Sequence, residues 1–304
     1  MKKKFWITGL IMSAILAIAA CAAVDQATQL ATVVGQTAGV ISPTQGEAIR
    51  KSTAAVSKSL QDFTPEQEYY IGRAVAAVIL SKYQAYTNTQ VNQYINTLGQ
   101  TLAAASDKPD IFNGYHFLVL DSDDINAFAT PGGHIFVTRG LIRCCQSEDA
   151  LAAVLAHEIG HIRFRHGMQS IEKARITEAL TVLASEGAKT LGSRDVAQLT
   201  NVFSGAISDI VNSMVNNGYS RSFEYQADQA SVVLVQRVGY NPEGLIDMLT
   251  VMSKKLKPGG TDFAKTHPAP QDRIEEIRSH NRTFAPVATP QIRQERFLKS
   301  VARI

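Results

Sequence analysis

Cysteine is nearly absent from this sequence, with three in 304 residues. Cys144 and Cys145 are neighbours, and a trans peptide link holds their Cα atoms closer than a disulfide prefers. They therefore read as two small apolar side chains near a helix start. Glycine and proline are not enriched (20 and 10 residues), which argues against a collagen-like or low-complexity chain. No repeat of 20–50 residues recurs, which argues against a solenoid or a helical-repeat extension. No basic stripe or nucleic-acid motif is present, so the chain is expected to bind no nucleic acid. What remains is 45% hydrophobic and 19% charged, ordinary for a globular chain with a sizeable core.

The N-terminus has its own pattern. Lys2, Lys3 and Lys4 precede an uncharged apolar run from Phe5 to Ala20, closed by Ile18-Ala19-Ala20-Cys21. A basic start, a short apolar run and small residues at the cut are the layout of a secretory signal. The run is shorter than the ~18–20 apolar residues a spanning helix needs. Cys21 after two alanines resembles the lipobox of bacterial lipoproteins, where the chain is cut before the cysteine and its thiol lipidated. The resemblance implies several acyl chains, enough for a stable anchor. Ala22 stands where inner-membrane lipoproteins often carry Asp, so the expected place is the outer membrane, facing the periplasm. Of the 30 basic residues three are these lysines, so the mature chain's remaining basic residues equal its 27 acids.

The expected organisation is a signal peptide at 1–20, lipidated Cys21 and a tether at 21–62, one folded domain at 63–283, and a tail at 284–304. Thr64-Pro65-Glu66-Gln67 is a helix start, with Thr as cap, Pro in the first turn and Gln three residues on. Val91, Tyr94, Ile95, Leu98 and Leu102 mark a second helix. Tyr115 to Leu120 and Ile135 to Thr138 read as strands, separated by a loop containing Pro131-Gly132-Gly133. Ser147 caps the next helix, expected to end after His166-Gly167. Amphipathic helices fit 170–187, 195–216, 222–238, 243–256 and 270–280. The fold class is α+β, mostly helical, with a small sheet.

The chemistry centres on His157-Glu158-Ile159-Gly160-His161. Residues four apart on a helix share a face, so both imidazoles can hold one Zn²⁺. Glu158 can then act as general base toward an attacking water. Seven histidines would give such a motif by chance in roughly one chain in a hundred, so its surroundings must decide. A catalytic zinc takes three protein ligands and keeps one open position. Glu224, at the start of a later helix, is the candidate third ligand. Asp228, one turn on, can accept the free N–H of a ligating imidazole and fix its tautomer. A helical extrapolation puts His166 about 140° from His161, away from the metal. No partner is named for His116 or His280.

These motifs, with Asn126-Ala127-Phe128-Ala129-Thr130-Pro131-Gly132-Gly133-His134-Ile135-Phe136-Val137-Thr138-Arg139-Gly140-Leu141, Tyr70-Ile71-Gly72, Thr266-His267-Pro268 and Arg273-Ile274, resemble the HtpX/BepA-type zinc metallopeptidases. These are gluzincins related to the CAAX prenyl endopeptidases. The resemblance covers roughly residues 63–280, and is greatest to the short lipid-anchored periplasmic members. It implies a zincin-like domain, one Zn²⁺ per chain on His157, His161 and Glu224, and hydrolysis of unfolded or misassembled envelope proteins. It further implies a sheet edge beside the metal at Gly133, His134, Ile135, Phe136 and Val137, to which an extended peptide adds. His267 is open between an oxyanion donor and a fourth zinc ligand that closes the site. Arg273 is open between a carboxylate partner and a helix salt bridge. Two rival classes stand beside the peptidase: a holdase-like envelope factor with a permanently closed zinc site, and a structural lipoprotein with a coincidental motif.

Overall fold

Thr64 opens the first helix by a reciprocal cap: its hydroxyl accepts from the Gln67 N–H, and its own N–H donates to the Gln67 side chain. Such a cap stabilises a helix by about 1 kcal/mol. The helix, α1, spans Pro65–Lys82, and α2 follows at Thr89–Ala105 with Asn88 as cap. The structure, a computed structural model, describes residues 63–171, 204–256, 267–280, 284, 287–302 and 304. The leader, Cys21, the tether and all but the first two residues of the expected helix at 170–187 lie outside these residues, as does the first part of that at 195–216.

Three strands form one sheet in the order β1-β3-β2: β1 at His116–Leu120, β2 at Ala127–Ala129 and β3 at His134–Thr138. β1 runs parallel to β3 with His116 opposite His134, and β2 runs antiparallel with Phe128 opposite Phe136. Short α3 (Arg139–Ile142) leads to α4 (Glu148–Arg163). Then come α5 (His166–Gln169), α6 (Ser204–Val211) with a π-turn at Asn212–Asn217, and α7 (Arg221–Arg237). α8 (Glu243–Lys255), α9 (Pro270–His280) and α10 (Gln291–Val301) complete the order. Residues 64–304 cluster as one unit.

The sheet's two outer edges differ. Along β1, α2 presents Asn92, Asn96 and Gln100, one turn apart. The Asn96 amide accepts from the Phe117 N–H and donates to its C=O (3.2 and 2.6 Å). Asn92 accepts from the Val119 N–H at 2.9 Å, Gln100 donates to the Tyr115 C=O at 2.5 Å, and the Tyr86 N–H takes the Val119 C=O at 2.8 Å. On the other side, Asn126 C=O accepts from Thr138 N–H (3.1 Å) and His134 C=O from Thr130 N–H (2.9 Å). This phase turns the main-chain groups of Ala127 and Ala129 away from β3. The Ala127 N–H is met by the Asn126 side chain at 2.9 Å. Among the described residues, no hydrogen-bond partner reaches the Ala127 C=O or either main-chain group of Ala129.

One expectation is corrected here. β3 is the middle strand, with β1 on one side and β2 on the other. Gly133, Ile135, Phe136 and Val137 are buried, and His134 stacks between Tyr69 and His116. These residues therefore offer no edge to a peptide. The reason is that Ala127–Ala129, read as loop, folds back and takes up the outer side of β3.

α4 is buried along almost its whole length. Its first turn carries two buried acids held by residues distant in sequence. Glu148 accepts from the hydroxyls of Tyr94 and Tyr240 (2.8 Å each) and from Arg296 through Nε (2.8 Å) and Nη2. Asp149 accepts from the Asn241 N–H and Arg293 Nη1, both at 2.8 Å. The segment after 284, read as a tail, thus ends in a helix seated on α4. Two glycines set close approaches. A Cβ on Gly72 would lie 1.6 Å from the Pro131 oxygen, so only glycine lets α1 rest on that turn. A Cβ on Gly160 would lie 3.2 Å from Ala227 Cα, so its absence lets α7 come up against α4. There Ser231 donates to the Ala153 carbonyl at 2.7 Å. Cys144 and Cys145 are both buried free thiols, as their adjacency predicts.

Candidate metal centre

The α4–α7 contact brings the predicted residues together. His157 and His161, one turn apart on α4, point their Nε2 atoms at the same spot, 3.0 Å from each other. Glu224, in the first turn of α7 and fully buried, places one carboxylate oxygen 3.6 Å from His157 Nε2 and the other 3.6 Å from His161 Nε2. His267 Nε2 lies 3.7 Å from Glu224 Oε2, and His157, Glu224 and His267 offer ligand atoms within 4.8 Å of one another. Both Glu224 oxygens lack a hydrogen-bond partner among the described residues. A buried carboxylate without hydrogen bonds is costly unless a cation meets it. The spacings bracket roughly 3.4 Å, the ligand separation of a tetrahedron with ~2.1 Å bonds. The donor set therefore fits a zinc ion.

Each histidine on α4 has a buried partner behind it. His157 Nδ1 meets Asp228 Oδ1 at 2.9 Å. Arg273 resolves to the carboxylate role: its Nε and Nη2 reach Asp228 Oδ2 and Oδ1 at 2.8 and 2.5 Å. Burial alone would raise the Asp228 pKa, but the guanidinium holds it at about 2. Burial and Arg273 would lower His157, yet the Asp228 carboxylate outweighs both and lifts it to about 9. A charge that makes an imidazole more basic also makes it a better ligand. His161 is held well below the usual histidine range by burial and its histidine neighbours.

Glu158 is buried and lines a narrow cleft with Ala127, Phe128, Ala129, Met214, Tyr219 and His267. Burial pushes its carboxyl up to about 7, a value suited to proton transfer near neutrality. A bound dication would pull it down again. β2, buried but with main-chain groups that no described residue meets, forms one wall of this cleft.

Two residues escaped sequence reasoning. His166 is fully buried and bonds to His161 through Nδ1 to Nδ1 at 2.9 Å. The helical extrapolation fails because α4 stops at Arg163 and Arg165 takes φ 58°, turning the chain back. Tyr219 lies on His161, ring centroids 4.7 Å apart and 25° between planes. Gly218 before it (φ 76°) was the signal for a sharp turn there.

A profile of Peptidase family M48 matches residues 89–281. The chain belongs to that family, and its class is that of the peptide hydrolases. Among relatives, the beta-barrel assembly-enhancing protease of Yersinia pestis is 30% identical over 217 residues, 69% of this chain and 43% of that protein. Metalloprotease LoiP of Escherichia coli (strain K12) is 29% identical over 163 residues, 54% of this chain and 61% of that protein. The mitochondrial metalloendopeptidase OMA1 of Schizosaccharomyces pombe (strain 972 / ATCC 24843) is 30% identical over 186 residues, covering 60% and 51%. The chain spans less than half the length of the first of these.

Proposed function

We propose that the chain is a zinc-dependent endopeptidase that cleaves unfolded or misassembled envelope proteins. The observation that carries this reading is the convergence of His157, His161 and the hydrogen-bond-free Glu224 carboxylate beside Glu158. Zn²⁺ held there supplies Lewis-acid polarisation of a carbonyl and acidifies water. Glu158 takes the proton of the attacking water and returns it to the leaving amine. Asp228 and Arg273 hold the His157 ring in place while this happens. The Ala127 and Ala129 main-chain groups bind the substrate as an added strand, which reads little side-chain sequence and so suits unfolded segments. The envelope substrate is inferred from the name of the Yersinia relative.

Location follows from the leader. Cys21, outside the described residues, is read as the lipidated N-terminus that anchors the mature chain to the outer membrane, facing the periplasm. Among the described residues no helix is long and apolar enough to cross a membrane.

A second reading rests on His267. Its approach to Glu224 and His157 favours a fourth zinc ligand that closes the open position, giving a latent enzyme or a holdase-like factor. One experiment separates these readings: cleavage of an unfolded protein by the zinc-loaded chain, by Glu158→Gln and by His267→Ala. The active-peptidase reading expects wild-type cleavage, reduced about 10²–10⁴-fold in Glu158→Gln. Latency expects little wild-type cleavage and a rise in His267→Ala. An oxyanion role for His267 expects a fall instead. Equal cleavage by wild type and Glu158→Gln would sink the mechanism.

A further inference from the structure

His161 has no carboxylate behind it. Its companion ligand His157 leans on Asp228, whereas His161 Nδ1 faces another imidazole, that of His166, at 2.9 Å. The second nitrogen of His166, Nε2, faces the Gln226 Oε1 at 2.9 Å. The ring between them has little freedom. It is fully buried and stacked on Phe223 with centroids 4.3 Å apart and 5° between planes, and on Phe164 at 5.6 Å and 20°.

Only one proton arrangement satisfies this row. A metal on His161 Nε2 requires that atom to offer its lone pair, so the His161 proton sits on Nδ1 and must be donated. His166 Nδ1 has to accept it, which puts the His166 proton on Nε2, where it donates to the Gln226 carbonyl oxygen. The amide oxygen terminates the row, since it can only accept. We propose that His166 and Gln226 are positioning residues that fix His161 in the tautomer presenting Nε2 to the metal. The row orients one ligand without charge, while Asp228 orients the other with a full negative charge. This inference rests on the metal reading above.

The test measures zinc affinity by competition with a chelator, and proton positions by ¹⁵N NMR of the histidine rings. His166→Phe keeps the aromatic stack and removes the acceptor. Zinc affinity is expected to fall about 10–100-fold, the usual cost of losing such a partner. His166→Asn, whose Oδ1 lies near the place of Nδ1, is expected to recover part of that loss. Zinc-loaded wild type is expected to show a protonated Nδ1 on His161 and a protonated Nε2 on His166. This readout needs no variant to fold. Zinc binding by a folded His166→Phe as tight as wild type, or a proton on His166 Nδ1 in the wild type, would overturn the proposal while leaving the metal reading intact. A wild-type chain that takes up no zinc would bring both down.

Discussion

The two outer edges of one three-stranded sheet are treated in opposite ways. Along β1, every outward main-chain group from the Tyr115 C=O to the Val119 C=O is taken, mostly by a row of amides on α2. Along β2, the Ala127 C=O and both main-chain groups of Ala129 meet no protein partner among the described residues, and they border the cleft that holds Glu158. Unpaired edges invite other chains, and proteins usually blunt them. Here one edge is closed by side chains that imitate a strand, and the other keeps main-chain groups that no described residue meets. On the proposed reading the difference lies between stability and use: bonds at β1 hold the fold, and those at β2 form with substrate.

Three measurements break or sharpen that contrast. The largest effect is expected at the closed edge. Asn96→Leu strands both the N–H and the C=O of Phe117, and each buried unsatisfied group costs ~1–3 kcal/mol. A loss of about 2–4 kcal/mol and a Tm drop of roughly 5–15 °C should follow. Cleavage per folded molecule at 20 °C should stay near wild type; a fall in cleavage with an unchanged melt would reverse the assignment. A smaller effect is expected at the open edge. A peptide substrate N-methylated at the residue facing the Ala127 C=O loses one bond, about tenfold in kcat/KM, with protein stability untouched. Indifference to methylation at every position would remove β2 from substrate binding. The smallest effect belongs to Gln100→Leu, which frees one carbonyl at the end of the amide row. About 1 kcal/mol is expected in denaturant unfolding, with kcat/KM unaltered.

Much of the site was legible because its logic is local. His157 and His161 share a helix face by spacing, and Glu224 and Asp228 share one on α7, so each pair could be read from its own segment. The edge could not be read that way. Whether β3 lies at a margin or in the middle depends on strand order, and three residues of β2, two of them alanine, carry too little pattern to announce a strand. Asn92, Asn96 and Gln100 look like solvated helix positions until β1 is laid against them. His166 was lost to an assumption of helical continuity that Arg165 breaks. Glu148 and Asp149 suit a helix start by charge alone. That they are also buried against Arg293 and Arg296 needed the tertiary fold.

The seating of α4 has a consequence in time. Glu148 and Asp149 open the metal-binding helix, and both are buried beneath arginines that follow them by more than 140 residues. A chain emerging during synthesis presents its histidines long before those cations arrive. Until residue 296 has cleared the exit, the helix's first turn carries two acids with no cation beside them, and packing it away is unfavourable. Stable seating of the helix that carries His157 and His161 therefore depends on two arginines more than 140 residues downstream of the acids they meet.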